Sequence, residues 1–125
     1  MSKELVIAKN HVLFKQGDKA ECVYVVRSGK IKLVKSKMGQ SIVIGYFGTG
    51  EFLGEMAIIT GSLTSCTAIA SENTVLQVYE RARFEEMLAN NAGVAARIIE
   101  GLAVRLEKTT ERLMEPVTLL EAENH

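Results

Sequence analysis

Glycine is unevenly distributed along this chain, and that imbalance constrains the fold more than any other feature. Eight of the ten glycines lie between Gly17 and Gly61, where short apolar runs alternate with turn signals. Residues 22–26, 31–35 and 42–47 read as strands rich in Val, Ile and Tyr. Ile31 and Leu33 flank Lys32 in the period-2 pattern of a half-buried strand. Ser28-Gly29 and Met38-Gly39-Gln40 separate these runs as hairpin turns. Two further strands are expected at residues 66–70 and 75–79. Closely spaced short strands with glycine turns point to an antiparallel barrel or sandwich.

After Tyr79 the texture changes. Residues 81–120 hold two glycines, one proline and many helix formers. Residues 81–89 read as a short helix with Phe84, Met87 and Leu88 inward. A longer helix, about 92–115, follows Asn90-Asn91, which can cap it. Its Ile99, Leu102, Leu106, Thr109 and Leu113 follow 3-4-3-4 spacing, the seam of a coiled coil and a candidate dimer interface. Pro116 is expected to end or kink it. The reading is therefore one domain over 1–125, with a β part at 1–80 and a helical part at 81–120.

Charge and chemistry narrow the function. Lys plus Arg and Asp plus Glu are both 15, so the net charge is zero, and no direct contact with nucleic acid is expected. No apolar run approaches a membrane span, and the first ten residues lack the apolar core of a signal peptide; a cytoplasmic location is expected. Cys22 and Cys66 read as reduced thiols. With only His11 and His125, the chain lacks the ligands of a barrel metal enzyme, and no metal site is expected. No phosphate loop with a terminal Gly-Lys-Ser/Thr is present. The reading is a non-enzyme.

One segment stands out. Gly50 and Gly54 flank Phe52 and Leu53, and a helix-like run begins at Glu55. Glycine lets a ligand approach the backbone, and a helix start offers free N–H groups to an anion. Glu55 repels phosphate, but it suits a sugar hydroxyl beside it. On local chemistry alone, a turn capped by Glu55 is the other reading.

From Val12 to Leu113 the chain resembles the cyclic nucleotide-binding domain shared by catabolite-activator/Fnr-type regulators, cyclic-AMP-dependent kinase regulatory subunits and cyclic-nucleotide-gated channels. Phe14-Lys15-Gln16-Gly17-Asp18 looks like the opening turn of that family, and the run from Tyr24 to Leu33 like its central hairpin. Gly50-Glu51-Phe52-Leu53-Gly54-Glu55-Met56-Ala57 is similar to the start of its phosphate-binding cassette. The resemblance implies an eight-stranded jelly-roll (double-stranded β-helix) barrel followed by a dimerisation helix, mainly β with C-terminal helices. It implies ligand contacts at Phe52, Leu53, Gly54, Glu55, Met56 and Ala57, with the Gly54 N–H on the cyclic phosphate and Glu55 on the ribose 2′-hydroxyl. Leu63, Thr64 and Ser65 stand where the family has proline, arginine and a small residue, with Cys66 next; Thr64, Ser65 and Cys66 complete the loop side of the site. The phosphate-pairing arginine is thus absent, and no arginine lies between Arg27 and Arg81. Lys30, Lys32, Lys35 and Lys37 are candidates for replacement charge if the strands aim them inward. Thr109 and Thr110 fall where the bacterial activators place base-contacting hydroxyls; the other reading of Thr109 is a hydroxyl bonded to the preceding helical turn.

The implied function is regulatory ligand sensing, cyclic AMP first, with cyclic GMP or a cyclic dinucleotide as alternatives, in a homodimer acting in signal transduction or transcription regulation. A dimeric interaction scaffold that binds no nucleotide is the other class.

Overall fold

The computed structural model describes the backbone of residues 3–123 and the side chains of residues 3–111. Eight antiparallel strands form two four-stranded sheets. One has the order β1 (Lys3–Ile7), β8 (Thr74–Glu80), β3 (Cys22–Ser28), β6 (Phe52–Leu53). The other has the order β2 (Val12–Phe14), β7 (Thr67–Ala70), β4 (Ile31–Lys37), β5 (Gln40–Phe47). This is the jelly-roll arrangement with C-terminal helices. The five expected strands are present with slightly different ends, and β1, β2 and β6 are additional.

Two hairpins set the register. Ser28-Gly29 turns β3 into β4, and Gly29 suits the turn twice over: its φ is 96°, and a side chain there would meet Asn73 and Thr74. Met38 and Gly39 both take positive φ, 54° and 78°, the signature of a type I′ turn between β4 and β5. Ile31 and Leu33 face the core, and β5 carries one extra residue, Ile44, where the pairing passes from Leu33–Gly45 to Val34–Val43.

The inter-sheet core contains Ile7, Val26, Ile31, Phe47, Leu53, Ala68, Ala70 and Leu76, flanked by Phe14, Tyr24 and Leu33. A second cluster joins the strands to the helices. There Val23, Ala57, Ile58, Phe84 and Ile98 are buried, with Phe52, Leu88, Val94 and Leu102 packed against them. Phe84 anchors α2 (Arg81–Asn90), while Met87 and Leu88 are half-buried as expected for its inward face.

Helix α3 (Ala92–Glu123) starts as the sequence indicates. The Asn91 side-chain oxygen accepts from the N–H groups of Gly93 and Val94 at 3.1 and 3.3 Å. It does not stop before Pro116 but runs on to Glu123. A proline removes one i to i−4 hydrogen bond, and the turns on either side supply the rest. The expected seam also divides. Leu102 packs into the second cluster, whereas Ile99 and Leu106 are about two-thirds exposed, and Leu113 lies outside the described side chains.

Candidate functional site

Strand β6 pairs with Tyr24 and Val25 and delivers the chain to Gly54. Gly54 turns it with φ 85°, and a Cβ there would sit 3.1 Å from the Cys22 carbonyl oxygen, so glycine alone fits without strain. Helix α1 (Glu55–Thr60) begins at the next residue, and no side chain caps it. The capped-turn reading of Glu55 therefore fails: its carboxylate points elsewhere.

Glu55 is 1% exposed, and its partner comes from α3. Arg105 Nη1 donates to Glu55 Oε1 at 2.8 Å, and Nη2 donates to the Phe52 carbonyl at 2.9 Å. The guanidinium also lies 4.4 Å from the centre of the Phe47 ring. A carboxylate this deeply buried needs such a hydrogen-bonding partner. Arg105 lies outside the residues assigned from sequence. Its signal was its spacing: Val94, Ile98 and Leu102 pack inward on α3, and Arg105 continues that stripe by three residues.

A small open cleft lies beside this pair. Gly54, Glu55, Met56 and Ala57 form one wall and Thr64, Ser65 and Cys66 another. Phe14, Leu33, Phe47 and Leu53 supply the apolar surface, and Arg105 is the cation among its lining residues. The structure thus brings together eight of the eleven residues singled out for ligand contact. Phe52 is set apart. Its ring packs in the second cluster with Arg97 5.9 Å above it, and only its carbonyl reaches Arg105. Thr109 and Thr110 also lie away from the cavity. Their hydroxyls donate to the carbonyls of Arg105 and Leu106, both at 2.9 Å, so the bond to the preceding turn prevails for both.

Thr64, at the arginine position, is committed to the scaffold. Its hydroxyl donates to the Lys15 carbonyl at 2.6 Å and accepts from the Asp18 N–H at 3.0 Å. Its own N–H donates to the Asp18 carbonyl, and its carbonyl accepts from the Gly17 N–H. Thr64 is 8% exposed, so this latch ties the cassette loop to the opening turn and leaves no hydroxyl proton for a ligand. Nor do the strand lysines fill the gap: Lys30, Lys32, Lys35 and Lys37 are not among the cavity-lining residues. Lys32 stands opposite Tyr46 on the face away from the core, and Lys35, exposed near the end of β4, stands opposite Ile42.

Behind the cavity, burial pushes the Tyr24 hydroxyl up to about 12, with the Cys22 thiol beside it adding to the rise. Burial also raises the Cys22 thiol, assisted by the Glu80 and Glu21 carboxylates, which keeps it protonated. Among the described residues no group of His, Cys, Asp and Glu is placed to hold a metal ion, and no helix is long and apolar enough to cross a membrane.

Comparisons with known proteins agree with this geometry. Residues 4–91 match the family described as the cyclic nucleotide-binding domain. The catabolite activator protein of Thermus thermophilus superposes with a TM-score of 0.79 at 28% identity, over 90% of this chain and 53% of that one. The regulatory domain of Toxoplasma gondii protein kinase A, solved with cAMP, gives 0.66 at 27% identity over 68% of this chain and 33% of that one. The lysophospholipase nte1 of Aspergillus fumigatus is 30% identical over 108 residues. That stretch is 86% of this chain but 7% of the lysophospholipase.

Proposed function

The chain belongs to the cyclic nucleotide-binding domain family, and from that premise we propose that it is a ligand-sensing regulatory module whose cavity takes cyclic AMP. The observation that carries this is the buried Glu55 beside Gly54 at the start of α1, on the wall of the cleft that Ser65 and Arg105 also line. A carboxylate accepts hydrogen bonds only, so it suits a ribose hydroxyl. The Gly54 turn and the Ser65 hydroxyl face the phosphate side. Arg105 supplies the positive charge that Thr64 does not, from α3 instead of from the cassette loop. The ribose hydroxyl then competes with Arg105 for Glu55, and the freed guanidinium turns to the phosphate.

Occupancy is thereby linked to α3, which carries the signal. The exposed Ile99 and Leu106 on α3 are the proposed contact with a second copy. Cyclic GMP and cyclic dinucleotides fit the same charge logic and rank below cyclic AMP. The module binds and does not catalyse; the lysophospholipase activity named for its relative belongs to a protein of which this chain matches a small part. Calorimetric titration with cyclic AMP, cyclic GMP, cyclic di-GMP and linear AMP tests the reading. Saturable binding of cyclic AMP above the others is expected, and no heat with any of the four overturns it.

A further inference from the structure

Phe47 ends β5 and stands opposite Ile31, so its ring belongs to the inter-sheet core. It is 7% exposed, and it also lines the cleft with Leu33, Leu53 and Arg105. Packing therefore fixes the ring from behind, and the central carbon of the Arg105 guanidinium lies over it, 4.4 Å from its centre. The other cation–ring contacts among the described residues are looser. Lys30 is 5.8 Å from Tyr46 and Arg97 is 5.9 Å from Phe52, and both cations belong to exposed residues. Arg105 is half-buried.

The face of an aromatic ring is electron-rich and attracts a cation, more strongly as water is excluded. A leucine would fill the same core position and hold no cation. The ring acts on the charge of the guanidinium and not on one particular N–H. Of the five donors of Arg105, Glu55 Oε1 and the Phe52 carbonyl take two. The guanidinium can thus exchange hydrogen-bond partners and stay over the ring.

We propose that Phe47 is a positioning residue for the nucleotide phosphate, the platform on which Arg105 passes from Glu55 to the ligand. This rests on the cyclic-nucleotide reading above. In the empty protein Glu55, the Phe52 carbonyl and the ring together hold Arg105. Once a ribose hydroxyl takes Glu55, the ring keeps the guanidinium in the cleft. Without it the side chain would turn to solvent, to which 29% of its surface is already open. The bound nucleotide covers that surface, and the attraction between cation and ring grows.

The test replaces Phe47 by mono-, di- and trifluorinated phenylalanine. These keep the shape and burial of the ring and weaken its negative face step by step. Calorimetry should show the affinity for cyclic AMP falling in steps, by about fivefold in all, the difference between an exposed and a water-excluded contact. The same replacements at Phe84, buried in the second cluster with no cation over its ring among the described residues, should change nothing. Phe47→Leu should lose at least as much affinity as full fluorination. In NMR spectra of the unsubstituted chain, the Arg105 side-chain N–H signals should carry the shift caused by a nearby ring, both empty and saturated with cyclic AMP. Binding indifferent to fluorination at Phe47, equal steps at Phe84, or loss of the ring shift on binding would overturn the platform and leave the nucleotide reading standing. An unsubstituted chain that binds no cyclic AMP overturns both. If Phe47→Leu does not fold, the fluorinated series, which keeps the core filled, decides.

Discussion

Arg105 reaches from α3 to the carboxylate of Glu55, 50 positions earlier, at 2.8 Å, and in doing so ties the helix to the first residue of α1. Glu55 is almost wholly buried, while the Arg105 side chain keeps 29% of its surface. The pair closes the space between β6 and α3 and holds the one carboxylate on the cavity wall.

Arg105→Ala leaves Glu55 buried without a partner. Removing one member of a buried pair costs about 3–5 kcal/mol, and the solvent that reaches Arg105 lowers the expected loss to about 2–3 kcal/mol. Glu55→Gln in the Arg105→Ala background should restore part of the loss. Urea unfolding of the two single variants and the double variant measures the coupling; additive losses would show that the pair does not act as a unit.

Thr64 should behave as a latch and not as a ligand contact. Thr64→Val removes a hydroxyl with two bonds to the opening turn and should destabilise the fold by about 1–3 kcal/mol. Thr64→Arg breaks the same two bonds, so placing the family arginine there should lower the melting temperature without tightening cyclic AMP binding. A stable Thr64→Arg protein with tenfold higher affinity would show that the loop accommodates the arginine and that the latch is dispensable.

The two sides of α3 should separate in mutagenesis. Leu102→Ala opens a gap in the second cluster and should cost about 2 kcal/mol of stability. Ile99→Glu with Leu106→Glu changes exposed positions and should leave stability nearly unchanged while abolishing self-association. Sedimentation velocity across concentrations distinguishes these effects; a monomeric parent chain would remove the dimer reading.

Tyr24 gives the fold an alkaline limit. Its hydroxyl titrates near 12 in the folded protein against about 10 in the unfolded chain, so the folded state favours the neutral phenol. Its contribution is complete below pH 10 and is lost as pH rises toward 12, because the unfolded chain releases that proton first. Tyr24→Phe should show a shallower fall in stability between about pH 10 and 12, read by chemical unfolding at each pH.

The legible parts of the sequence were those where local chemistry and tertiary structure agree. Gly29 and the Met38-Gly39 pair mark hairpins because their positive φ is a local demand. Asn91 marks a helix start because its side chain caps within three residues. The missed strands are those without a pattern of their own. In β1 four of the five residues are exposed, and β6 is two residues long, so pairing with β8 and β3 creates them. At the site, Gly54 and Glu55 were legible from the motif. Arg105 was not, because an arginine on an amphipathic helix ordinarily reads as a solvated charge, and its partner lies 50 residues away. The 3-4 spacing of α3 likewise left two overlapping apolar stripes. Only packing assigns Leu102 to the inner one and Ile99 and Leu106 to the outer.

The central claim is that Glu55 holds the ribose hydroxyl of a cyclic nucleotide. It is tested most directly by calorimetric comparison of cyclic AMP with 2′-deoxy cyclic AMP, which differs by that hydroxyl alone. A hydrogen bond to a charged group contributes about 1.5–3 kcal/mol, so the deoxy analogue should bind roughly ten- to a hundredfold more weakly. Equal affinities, or no binding of either nucleotide, would contradict the account.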